Sequence, residues 1–194
     1  MNVLTFDGSN DILSNATVGA SGLSNVTIIA VMRMISGGSN EDLPMGIGAT
    51  TNTGAIRSLY RASSGTTVGF AGWQFDVTSS SESYDIGGSY HIFGGWNTQL
   101  ATPSNVRIMR DGVVSTYTSS GTLVATVNGF SIGSLQGISV GNYYSNISVG
   151  EVLVFYSAIN DTNRQLCEGY LAHKWGLAGF LPAGHPYKSV PPYV

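Results

Sequence analysis

Few residues in this chain could do chemistry, and their spacing limits what that chemistry is. Glutamate occurs at 41, 82, 151 and 168, histidine at 91, 173 and 185, and cysteine only at 167. The histidines are too dispersed for the H-E-x-x-H pattern that sets two imidazoles on one helical face. Cys167 and His173 fall on one expected helix but point about 240° apart, so they form no nucleophile and base pair. A lone Cys167 excludes an internal disulfide and reads as an inert, buried thiol. His91 reads as a satisfied strand histidine, and His173 and His185 as packing for the C-terminal tail.

Two further chemistries are open to side chains in loops. Asp7 with Asp11, Glu41 with Asp42, and Glu82 with Asp85 are the acid pairs that calcium could use, but that ion wants several oxygens together. Asp7 is better employed organising its own turn, so no cofactor and no metal site is expected. Aromatic rings could stack on sugars if exposed. Trp73, Tyr84, Trp96, Tyr143 and Tyr144 lie nearest expected loops or open strand faces, and Asn142 joins them in Asn142-Tyr-Tyr-Ser-Asn146 as the best local candidate for glycan or partner contact.

Composition narrows the field. Of 194 residues only 10% are charged, against roughly 25% in an average soluble protein. Ser, Thr, Asn and 26 glycines must therefore supply much of the polar surface, as suits a secreted protein, a carbohydrate binder or a subunit covered by neighbours. A net charge of -3 without any cationic run argues against nucleic acid. No stretch approaches the roughly 18 apolar residues of a membrane span. The start, Met1-Asn-Val-Leu-Thr-Phe-Asp-Gly8, has no basic and apolar leader, so the expectation is a chain that begins directly with its first strand.

Those residues must be positioned mainly by strands. Val26–Ile35 carries apolar residues on both faces and reads as a central strand. Ile56–Tyr60 and Val68–Val77 read as strands, Thr78–Ser83 as a polar stretch, and Tyr90–Asn97 as an alternating strand. Asp111-Gly112 between Val106–Arg110 and Val113–Tyr117 is a hairpin signal, because a type I′ turn needs two residues that tolerate positive φ. Leu123–Val127, Phe130–Ile132 and Glu151–Tyr156 complete ten or more short strands at sandwich-like spacing. One helix is expected at about 161–177, capped by the Asn160-Asp161-Thr162 cluster and ended by Gly176 or Gly179. Its apolar stripe includes Leu166, Tyr170 and Trp175. One domain over 1–181 and an extended Pro-rich tail over 182–194 are expected.

Spread along the chain are Leu4-Thr-Phe-Asp-Gly-Ser-Asn-Asp11, Tyr90-His-Ile-Phe-Gly-Gly-Trp96, Val106-Arg-Ile-Met-Arg-Asp-Gly112, Gly150-Glu-Val-Leu-Val-Phe-Tyr156 and Tyr170-Leu-Ala-His-Lys-Trp-Gly-Leu177. This pattern resembles the concanavalin A-like lectin/glucanase superfamily, in particular its laminin G-like and pentraxin-like jelly rolls. The resemblance implies an all-β, antiparallel two-sheet jelly-roll sandwich with one short C-terminal helix laid against an edge. It implies paired first and closing strands. It does not imply an activity. Leu166, Tyr170 and Trp175 would cover a sheet edge or base that otherwise exposes apolar surface, so they, with Phe6, are expected to be structural.

Glycosidases of the superfamily place carboxylates as E-x-D-x-x-E, acid and nucleophile flanking the bond about 5 Å apart. Glu151 has Leu153 and Tyr156 at the other two positions, so no enzyme is expected. The leading expectation is a phage virion structural protein, made in the host cytoplasm: a head decoration or cement protein, or a tail-associated subunit, with weak glycan adhesion. Its partners would be other virion subunits in a homo-oligomer, a trimer being favoured, and a surface polysaccharide. The alternative is a carbohydrate-binding module of an exported bacterial protein, at the cell surface or outside it.

Overall fold

The computed structural model describes residues 1–15, 24–37, 41–48, 56–62, 65–71, 76–98, 105–119, 121–124, 129–134 and 143–193. The strands run β1 (Leu4–Asp7), β2 (Leu13–Asn15), β3 (Thr27–Ser36), β4 (Asp42–Ile47), β5 (Arg57–Arg61), β6 (Thr67–Ala71) and β7 (Val77–Ser83). They continue with β8 (His91–Asn97), β9 (Asn105–Arg110), β10 (Val113–Thr118), β11 (Phe130–Ile132) and β12 (Asn146–Phe155), followed by α1 (Asp161–Trp175) and a single 3-10 turn, Ala178–Phe180.

Two antiparallel six-stranded sheets result, ordered β1-β12-β3-β8-β9-β10 and β2-β11-β4-β5-β6-β7. The central strand β3 explains the layering. Ile28, Ala30, Met32 and Met34 face the second sheet and meet Met45, Ile47, Leu59 and Phe70, while Ile29 and Val31 point the other way. Side chains alternate across a strand, so a strand apolar on both faces demands cover on both.

The helix supplies the outer cover. Leu171, Ala172 and Leu177 pack on Ile29, Val31, Ile92, Trp96 and Met109, so α1 lies on the outer face of the first sheet rather than along an edge. Its start is as expected: the Asn160 side chain accepts from the Asn163 N–H at 2.8 Å, and Gly176 ends the helix at φ 72. Its buried face differs. Arg164 and Glu168 are buried beside Leu171 and Ala172, and Leu166 is only half-buried. Burial pushes the Glu168 carboxyl above its ordinary range, with Arg164 and His185 opposing. Buried charge needs such partners.

β1 pairs with β12 and β2 with β11, so the turn at Asp7–Asn10 carries the chain from one sheet to the other. Two further expectations are corrected. Thr78–Ser83 is strand rather than a polar connection. The tail is a run of turns rather than extended chain, with His185 N–H bonding Pro182 O at 2.9 Å and Lys188 N–H bonding His185 O at 3.1 Å. It docks because His185 Nε2 lies 2.9 Å from Glu168 Oε2. Leu123 and Val124 lie outside any strand, and residues 125–127 and 138–142 fall outside the described residues.

Candidate functional site

The hairpin β9–β10 turns at Asp111, φ 49, and Gly112, φ 83, as a type I′ turn requires. Asp111 does more than turn the chain. Its Oδ1 accepts the Ile92 N–H at 2.9 Å and its Oδ2 meets His91 Nδ1 at 2.6 Å. The turn is thereby tied to the start of β8, and the imidazole is held at the sheet's end.

Arg110 completes that network. Its NH1 donates to Ser83 O at 2.7 Å, its NH2 lies 2.9 Å from His91 Nε2, and its Nε is 3.4 Å from Asp111 Oδ2. A guanidinium can only donate. Nε2 of His91 therefore accepts, and Nδ1–H donates to Asp111. Asp85 Oδ2 stands 3.7 Å from the same Nε2, beyond hydrogen-bond reach.

The neighbouring wall comes from β7. Glu82 is almost fully buried, yet its carboxylate takes hydrogen bonds from Ser115 Oγ at 2.6 Å, from Tyr117 OH at 3.2 Å and from Ser79 Oγ. Burial pushes the Glu82 carboxyl up, but the hydroxyls of Ser115, Ser79 and Ser81 outweigh it and hold it below the ordinary range. Ser81 Oγ also reaches Ser115 Oγ at 3.2 Å. A ladder of hydroxyls thus joins β7 and β10, the facing edge strands of the two sheets.

Above this floor the ring of Phe180, 48% exposed, stands 4.8 Å from the His91 ring, centre to centre. Val113, also exposed, forms the other apolar element. Between them lies an open cleft of about 440 Å³ whose remaining lining is polar: Ser81, Glu82, Asp85, Ser89, Arg110 and Asp111 with His91. The cleft thus sets one half-exposed aromatic ring and one aliphatic side chain beside convergent hydrogen-bonding groups.

The expected contact residues do not converge here. Trp96 is 1% exposed and lies beneath the helix, and Tyr84 is 2% exposed with its ring 4.6 Å from Phe93. Neither can stack on a sugar, because both occupy space that the two apolar layers fill. Tyr143 and Tyr144 are half-buried, Tyr143 against Leu43, Ile56 and Tyr60. Trp73 and Asn142 lie outside the described residues. Two of the acid pairs that calcium could use are engaged elsewhere: Asp7 Oδ1 accepts the Ser9 N–H at 2.7 Å, Asp11 Oδ2 accepts the Asp7 N–H at 3.0 Å, and Asp42 pairs with Arg61, while Glu82 and Asp85 line the cleft.

Sequence reasoning missed Ser79, Ser81, Ser115, Arg110 and Phe180. Only Phe180 carried a usable signal, a large apolar residue placed just beyond a helix-ending glycine.

The pairing of β1 with β12, the sheet order and the helix over the outer face decide the architecture. It is a concanavalin A-like jelly-roll sandwich. Solved structures share it: the heptameric SAP-like pentraxin from Limulus polyphemus superposes with TM-score 0.60 at 13% identity, covering 87% of this chain and 80% of that one. The CBM40 domain of the Ruminococcus gnavus IT-sialidase, bound to alpha2,3 sialyllactose, gives 0.52 at 14% identity over 78% and 95%. The NanB sialidase from Streptococcus pneumoniae gives 0.60 at 12% identity over 84% of this chain and 26% of that one. The jelly roll thus spans about a quarter of the sialidases it matches. No protein-family model and no curated protein matches the sequence.

Proposed function

We propose that this jelly roll is a non-catalytic glycan-binding module whose ligand sits in the cleft between Phe180 and the His91–Arg110–Asp111 network. The observation that carries the reading is the pairing of a half-exposed aromatic ring with polar groups already held in place. A pyranose has an apolar face of C–H groups and a rim of hydroxyls, and this cleft offers a surface for each. Pre-positioned polar groups lower the ordering cost of binding. The two most buried carboxylates of the cleft are unsuited to acid or base catalysis, since Glu82 is capped by three hydroxyls and Asp111 by Ile92, His91 and Arg110. Support at the level of the fold comes from the R. gnavus domain, which holds a sugar on the same architecture.

The test is a glycan array followed by calorimetry on the hits, using the intact chain and its Phe180→Ala variant. The variant should keep its melting temperature and bind roughly tenfold more weakly, which corresponds to the loss of one aromatic contact. Absence of any binding on the array, or an unchanged affinity for Phe180→Ala, overturns the proposal.

A second reading rests on a different observation. Val3, Leu4, Ile12 and Leu13 are exposed together along the side where β1 and β2 end the two sheets. Such an edge suits contact with further copies of the chain, as in a virion subunit, and the similar Limulus protein is a heptamer. Its check is the mass in solution. The two readings are compatible, because the cleft lies at the opposite edges.

A further inference from the structure

Resting on the glycan reading, we infer that the cleft sorts its sugars by charge: hexosamine units with a protonated amine bind ahead of neutral units, and uronic and sialic acids are excluded. Three carboxylates, Glu82, Asp85 and Asp111, line it against one guanidinium, Arg110, and His91, whose Nε2 accepts from Arg110 and whose Nδ1–H donates to Asp111, has no N–H left for an anion. A sugar carboxylate is usually gripped by two parallel N–H donors of an arginine. The Arg110 guanidinium is already turned to other partners, its three nitrogens lying against Ser83, His91 and Asp111, and the Asp111 carboxylate beside it offsets its charge.

Asp85 is the carboxylate that meets the ligand. Its side chain is 48% exposed, whereas those of Glu82 and Asp111 are nearly covered and their oxygens already hydrogen-bonded. Asp85 Oδ2 accepts only the Ser89 N–H at 3.2 Å among its hydrogen bonds to the described residues. It therefore has lone pairs to offer an ammonium or a hydroxyl. An incoming carboxylate would meet it with like charge, in a lining that carries three carboxylates against one guanidinium, a juxtaposition that lowers affinity.

The test is calorimetry of the intact chain at about pH 6, where amines and carboxylates are both ionised, with three probes of equal length. These are fully deacetylated chitotetraose, its N-acetylated counterpart and tetragalacturonic acid. Affinity should fall in that order, with at least about tenfold between the first and the last. Asp85→Asn keeps the acceptor for Ser89 and the shape of the side chain, and should reduce that ratio at least about threefold. Two results overturn the inference while leaving the module reading intact: tetragalacturonic acid binding as tightly as deacetylated chitotetraose, or an order that Asp85→Asn leaves unchanged. Failure of all three probes and of the array removes both.

Discussion

Glu151 shows how a single residue changes meaning between sequence and structure. As a sequence position it is the glutamate that fails to begin a glycosidase triplet; in the fold it anchors the helix. Its Oε1 accepts from Tyr170 OH at 2.9 Å, and its Oε2 takes both Trp175 Nε1–H and Lys174 Nζ at 2.9 Å. Burial pushes the carboxyl up, but the Trp175, Lys174 and Tyr170 hydrogen bonds and the Lys174 charge outweigh it and hold it below the usual 4.5. A depressed folded-state value means that the unfolded chain binds the proton more readily. The stabilisation is therefore complete above the ordinary value and lost as pH falls through the folded one. Glu151→Gln should cost about 1–2 kcal/mol at neutral pH, and the gap to the parent should close as the pH falls below the ordinary carboxylate range. Melting temperatures of both proteins from neutral to acid pH check this, and a gap that does not change with pH would refute it. His91 was legible as a satisfied strand residue, but not its partner: Asp111 is twenty positions away and meets it only through the β8–β9 register. Trp96 and Tyr84 were misplaced because the apolar layers that bury them come from distant segments.

At the scale of elements, strand β12 and helix α1 work as one unit joined by a bulge. Val149 pairs with Met32 and Glu151 with Val31, leaving Gly150 as the extra residue. A bulge shifts the alternation of side chains by one. Val149 consequently faces the core between the sheets, while Glu151 and Leu153 face the helix. A Cβ at Gly150 would stand 2.6 Å from the Trp175 ring, so only glycine lets the indole lie there. Gly150→Ala should destabilise the fold by about 1–3 kcal/mol through overpacking, and Trp175→Ala by roughly 3 kcal/mol through lost burial. Denaturant unfolding measures both, and glycan affinity should not move in either. Full stability in Trp175→Ala with loss of binding would reverse the assignment. Strands with two apolar faces and the Asp111-Gly112 turn were readable from alternation and turn chemistry. The strand β7 was not, because Val77–Ser83 is an edge strand whose inward groups are largely Ser79 and Glu82, matched by hydroxyls across the gap rather than by an apolar core. That missed strand forms a wall of the cleft, which is why the candidate site was less legible than the fold.

For the whole molecule, the decisive feature is that the two open sides of the sandwich are finished differently. Where β7 and β10 face one another, hydroxyls, the Glu82 carboxylate and the cleft close the gap with polar groups. Where β1 and β2 end the sheets, Leu4, 52% exposed, and Leu13, 54% exposed, share a shallow hollow with Ile12 and Phe6. Exposed edge strands ordinarily carry charge or proline that blocks further pairing. Here the described edge offers aliphatic side chains, with acidic groups only at Asp7 and Asp11, both engaged in the local turn. Identical copies meeting along this side would cover the aliphatic groups and give a symmetric assembly with every cleft left open. The expected result is a sedimentation mass above that of one 20.3 kDa chain at micromolar concentration. Leu4→Lys with Leu13→Lys should return it to the single-chain mass, since both side chains are solvent-facing and charge on an edge opposes association. The same double variant should retain its melting profile and its affinity for sugar per chain. A parent protein already at the single-chain mass, or a double variant that stays assembled, would show that this edge is not where copies meet.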